Sequence, residues 1–85
     1  MNYILAVFRS RYATLNFANL LREKNIPAAI INTPHDIARG CGISVKFLSD
    51  YFNEVRKIIS NRHMINFDGF YSYSEKNGRQ IFFKV

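Results

Sequence analysis

The chain is poor in the residues that usually announce a specialised chemistry. It has one cysteine, Cys41, so no internal disulfide can staple the fold and a reducing compartment is the natural setting. No Cys-x-x-Cys or His-x-x-x-His spacing occurs, and a metal site would need Cys41, His35, Asp36 and His63 to converge from two loops. The Gly-x-x-x-x-Gly-Lys-Ser/Thr phosphate loop and the paired carboxylates of a glycosidase are missing as well. The expectation is therefore no metal and no cofactor. Nothing approaches the roughly 18 consecutive apolar residues of a membrane span, and residues 1–10 lack the basic flank, apolar stretch and small-residue cleavage site of a secretory leader. A cytoplasmic protein without membrane contact is expected.

Acidic residues are scarce: six Asp and Glu stand against twelve Lys and Arg, a net charge of +6. The basic residues are scattered rather than blocked, so the excess fits an anionic partner such as nucleic acid, an acidic protein or a small metabolite, and equally fits a solvated surface. What the chain does have is apolar content, 48% hydrophobic against 21% charged, the balance of an ordinary soluble domain. Its 85 residues supply one core, so residues 1–85 are expected to form a single domain.

Taken in order, residues 3–8 (Tyr-Ile-Leu-Ala-Val-Phe) are a continuous apolar run that predicts a central strand with both faces covered. Ser10 is an N-cap candidate for an amphipathic helix reaching about Lys24, with Ala13, Phe17, Leu20 and Leu21 on the buried side. Asn25 closes it in a left-handed conformation. A second strand is predicted over residues 28–31, again buried on both faces, and a third over 42–47, where Ile43, Val45 and Phe47 alternate with Ser44 and Lys46. Ser49 is the next N-cap candidate, before a helix to about Arg62 with Leu48, Phe52, Val55, Ile58 and Ile59 as its apolar stripe. A fourth strand over 67–73 and a fifth over 79–84 are joined at Asn77-Gly78, the pair a type I′ hairpin turn demands.

The order strand, helix, strand, strand, helix, strand predicts an α+β fold of the ferredoxin-like split βαβ type, with an additional C-terminal strand forming a hairpin. In that topology the third strand lies between the first and second, and the end of strand one, the loop after strand two and the end of helix two share one end of the sheet. Strand one is apolar on both faces, so the face without helices needs a cover. Self-association, as a homodimer through that face or an edge strand, is the simplest candidate.

The chain departs from core-building sequence between Asn32 and Gly42, where Thr33-Pro34, Gly40 and Gly42 punctuate the loop and Cys41 sits between the two glycines. The expected topology sets Arg9, Ser10, Arg11 and Arg39 around it. A helix N-terminus and guanidinium groups both favour thiolate over thiol, with backbone N–H groups at Ser10 and Gly42 as further donors, so Cys41 is expected to titrate below a free cysteine. Gly40 and Gly42 would leave the sulfur open to close approach. Against this stands a cysteine that merely fills the core. A cysteine–histidine pair, with His35 or His63 as proton acceptor, lacks a clearly placed orienting carboxylate other than Asp36. RNA binding is a further alternative, with Tyr3, Phe47, Tyr71 or Tyr73 as stacking platforms, although strand three does not carry the aromatic RNA-recognition signature.

Three short motifs in order, Phe8-Arg9-Ser10 leading into a helix with Ala13 and Leu21, Asn32-Thr33-Pro34 after strand two, and Cys41-Gly42 before an alternating strand to Phe47, give the chain a resemblance over residues 3–71. It resembles the selenium/sulfur carrier-like family of small, mostly bacterial proteins, formerly a domain of unknown function. Gly40 preceded by Arg39 and the hairpin from Tyr71 to Val85 depart from the family pattern. The resemblance implies that Cys41 carries sulfur or selenium, as a persulfide or selenosulfide, between donor and acceptor proteins, so that the chain is a carrier rather than a stand-alone enzyme. The alternative is a basic interaction module binding RNA or a small anion, with the cysteine structural.

Overall fold

The computed structural model describes residues 2–38, 42–62 and 64–85. Strand β1 (Tyr3–Phe8) is followed by helix α1 (Arg11–Glu23), strands β2 (Ala29–Asn32) and β3 (Ile43–Leu48), a 3-10 turn (Ser49–Tyr51), helix α2 (Phe52–Arg62) and strands β4 (Phe67–Lys76) and β5 (Arg79–Lys84). The strands form one sheet in the order β2-β3-β1-β4-β5, and every neighbouring pair is antiparallel. Strand β3 thus fills the gap between β1 and β2, which run parallel to each other, as the order of elements predicts. Among the described residues no helix is long and apolar enough to cross a membrane.

Local chemistry fixes the limits of α1. The Ser10 hydroxyl accepts the Ala13 N–H at 3.2 Å, which satisfies one free donor of the first turn, and the Ser10 carbonyl receives both the N–H and the hydroxyl of Thr14. At the other end Asn25 takes φ 62°. Its N–H reaches the Arg22 carbonyl while the Ile26 N–H reaches Leu21, the paired bonds of a Schellman closure. Ile26 and Leu21 are both buried, which supplies the apolar contact that accompanies this motif. The hairpin also follows the sequence: Asn77 and Gly78 have φ 53° and 76°, as a type I′ turn requires.

The core lies between the sheet and the two helices. Ile4, Ala6, Phe8, Val45, Phe47 and Phe70 of the sheet meet Phe17, Ala18, Leu21 and Val55 of the helices. Aromatic rings tie the elements together: Phe8 stands 5.2 Å from both Phe17 and Phe67, and Phe70 stands 4.9 Å from Phe67 and 5.1 Å from Phe52. Tilted and edge-to-face pairs of this kind add about 0.5–1.5 kcal/mol each beyond their burial. The chain of rings runs from α1 through β1 and β4 to α2.

Four expectations need correction. Strand β2 is a sheet edge, and its ends, Ala29 and Asn32, are exposed while Ile30 and Ile31 are half-buried; the layers above and below the sheet reach this edge only in part, with Ile30 against the helix-side core and Ile31 against the opposite cluster. Ser49 does not cap α2, because it is the first residue of a 3-10 turn and gives its N–H to the Asn2 carbonyl. Leu48 belongs to β3 rather than to the helical stripe. The second face of β1 is covered from within the chain: Leu5 and Val7, both fully buried, pack with Ile37 and Tyr71, and with the partly buried Ile31, Tyr73 and Phe82. Ile37 comes from the loop after β2, so this much of the face is closed without a second copy.

Candidate functional site

The two ends of the Asn32–Gly42 stretch are pinned together. Asn32 is in register with Ile43, the Thr33 N–H donates to the Gly42 carbonyl at 2.9 Å, and the Thr33 and Ser44 hydroxyls share a hydrogen bond in a buried setting. Ser44 is polar yet fully buried, and this bond offsets its desolvation. Beyond Thr33 the chain turns at once, with the Ile37 N–H donating to the Pro34 carbonyl. The turn drops Ile37 onto Leu5 and Val7. Thr33, Ile37 and Gly42 are therefore three anchors that bracket Arg39, Gly40 and Cys41. Those three residues, and His63, lie outside the described residues.

The flanking residues occupy the shared sheet end. Val7 lies opposite Ser44, so β1 leaves the sheet where β3 enters it, and the Arg9 N–H donates to the Asn66 carbonyl just before β4 at 2.7 Å. Arg9 places its guanidinium 3.5 Å from the carboxylate of Asp68, which compensates part of the charge expected to face the loop. Ser10 uses its hydroxyl and carbonyl in the α1 cap, and Arg11 is exposed on the first turn of that helix. Among the described residues no atom lies within 4 Å of a Cβ built on Gly42. Packing among the described residues does not require a glycine there.

His35 follows Pro34 directly in the same stretch. With Pro34 and Asp36 it lines one wall of a shallow groove of about 550 Å³, whose other wall is the hairpin at Gly78, Arg79, Gln80 and Phe82. Among the described residues no group of three or more His, Cys, Asp or Glu side chains is placed to hold a metal ion. Two further side chains shape this end of the sheet. Asp68 is the partner of Arg9, and nothing in its strand-like surroundings marks it. Ile37 had a signal: it is the one large aliphatic residue between Thr33 and Gly42, in a loop otherwise polar or small.

Residues 3–72 match the model of a family described as "Putative Se/S carrier protein-like". No curated protein and no solved structure matches the chain.

Proposed function

We propose that this chain, which belongs to the Se/S carrier protein-like family, holds a sulfur or selenium atom on Cys41 and passes it from a donor protein to an acceptor protein. The observation that carries the reading is the reach of the family match, which takes in the whole Asn32–Gly42 stretch and the elements that pin its two ends. That no described residue crowds Gly42 supports it, because a carrier sulfur must be approached by two partners in turn. Arg9, Arg11 and Arg39 are the cations assigned to the neighbourhood of the thiolate, with Arg9 also engaged by Asp68. His35 is the candidate acceptor for the thiol proton. The same reading takes residues 1–85 as one ferredoxin-like domain working in the cytoplasm, without a cofactor and as a carrier rather than an enzyme.

The transfer balances without an oxidant. The Cys41 thiolate attacks the outer sulfur of a donor persulfide, a new S–S bond forms on Cys41, the donor's own S–S bond breaks, and the donor leaves as a thiolate. Transfer of selenium follows the same path and leaves a selenosulfide. The chain has no second cysteine to resolve the product, so discharge depends on a thiol of the acceptor. Intact-protein mass spectrometry after incubation with a cysteine desulfurase and cysteine tests this. The expected result is addition of one sulfur atom, reversed by a reducing thiol and lost in Cys41→Ser; no addition, or addition that survives Cys41→Ser, overturns it.

A further inference from the structure

The sheet face away from the helices carries a feature that sulfur transfer does not use. Tyr3 lies in register with Tyr73, and Tyr73 with Phe82, so three rings form one row across β1, β4 and β5, with centroids 6.4 Å and 5.3 Å apart. The neighbouring row runs through Lys46, Leu5, Tyr71 and Lys84 and sets an ammonium group toward each end. Lys46 Nζ is 4.4 Å from the Tyr3 ring centroid, and Lys84 Nζ is 5.9 Å from that of Tyr71. Unlike Leu5 and Val7, the rings of the row keep part of their surface in solvent. A groove of about 380 Å³ opens beside Tyr3, Lys46 and Leu48, and the groove of about 550 Å³ lies beside Phe82, Arg79 and His35.

We propose that this face binds single-stranded nucleic acid, with two or three bases on the Tyr3–Tyr73–Phe82 row and their phosphates met by Lys46, Arg79 and Lys84. An antiparallel sheet whose open face presents aromatic side chains offers flat partners to about two or three unpaired bases, and flanking cations follow the backbone. Of the platforms considered from sequence, Phe47 is excluded by its burial on the helix side and Tyr71 is nearly covered; Tyr3 and Tyr73 remain, and Phe82 joins them. Charge selects the occupant. The strand register sets Glu75 against Lys46 and Lys84 on this face, and the groove beside Phe82 adds Asp36 and Arg79, in a chain of net charge +6, so a second copy would bring like charges together. An acidic protein segment would satisfy the cations but leave the row of rings without flat partners. The proposal assigns no role to Cys41 and stands apart from the carrier reading.

Fluorescence anisotropy with a labelled single-stranded RNA of mixed sequence, about ten nucleotides long, tests it. The expected result is binding that weakens as salt rises and about tenfold weaker binding in Tyr73→Leu, which keeps apolar bulk in the core. Lys46→Gln and Lys84→Gln should each flatten the slope of log affinity against log salt by about 0.7, while Lys57→Gln on α2 and Cys41→Ser leave binding as it was. Circular dichroism checks each fold. If Tyr73→Leu does not fold, the contrast between Lys46→Gln and Lys57→Gln decides. Three results overturn the proposal: no binding at low salt, equal losses from Lys46→Gln and Lys57→Gln, or a doubled mass abolished by Tyr73→Leu in a protein that binds no oligonucleotide.

Discussion

On one side of the sheet Phe8, Phe17, Phe47 and Phe70 are locked between strands and two amphipathic helices. On the other, Leu5 and Val7 are just as inaccessible, yet among the described residues no helix packs on them; they are covered by Ile37 from a loop and flanked by aromatic residues of β4 and β5. Equal burial is reached by unequal means. The helix side spreads its contacts over many residues, whereas the far side depends heavily on one aliphatic chain from the stretch that also contains Cys41. In physical terms the position of that loop and the stability of the sheet are coupled, because removing Ile37 uncovers two apolar residues of the central strand.

The comparison can be broken by truncating one residue on each side and measuring stability by urea denaturation. Phe8→Ala should cost about 3–5 kcal/mol, the usual loss for a fully buried ring in a packed core. Ile37→Ala should cost less, about 2 kcal/mol, since the residue lies near the surface and the loop can partly collapse. If Ile37→Ala costs under about 0.5 kcal/mol, the size of a neutral surface change, the loop does not roof the second face and the coupling fails.

The helix side was more legible in sequence than the far side, for a physical reason. Period-3.6 and period-2 patterns report which residues share a face, and Ser10, Asn25 and Asn77-Gly78 report where elements stop, so α1, β1 and the hairpin follow from the sequence almost residue by residue. Those patterns do not report what covers a face. Ile37 is an isolated apolar residue in a loop, and only the turn after Thr33 brings it back beneath β1. The partner of Arg9 was hidden for a similar reason, since Asp68 becomes its neighbour only through the irregular register between β1 and β4 after Val7. Burial differs as well: β2 has the composition of a strand covered on both faces, but at the sheet edge Ile30 and Ile31 are only half-buried. The candidate site was legible as a stretch, from its glycines, its proline and its single cysteine. Its anchoring was not, because a hydroxyl pair eleven residues apart, Thr33 and Ser44, leaves no periodic trace.

That hydroxyl pair sharpens the contrast, since it holds the roof in place with polar rather than apolar contacts. Thr33→Val strands the buried Ser44 hydroxyl without its partner and should cost about 1–3 kcal/mol, and Ser44→Ala should cost a similar amount. The double variant should lose less than the sum, because neither buried hydroxyl then remains to be satisfied. Losses that simply add would show that the two groups act independently and that the loop is held by its backbone bond to Gly42 and by Ile37 alone.

The smallest effect is expected where the helix layer runs out. Phe83 is in register with Ser72, two residues from Phe70 on the same strand, so it shares the helix-side face; yet it is 65% exposed, because α1 packs over β1, β2 and β3 and α2 meets β4 through Phe52 and Phe70, rather than covering β5. Phe83→Ser should therefore change stability by no more than about 0.5 kcal/mol, the range of surface substitutions that touch no special feature. Sharing a face with the core then counts for nothing without an element above it. A loss well beyond that range, growing with protein concentration, would mean instead that a second copy covers β5 in solution, since only association makes stability depend on concentration.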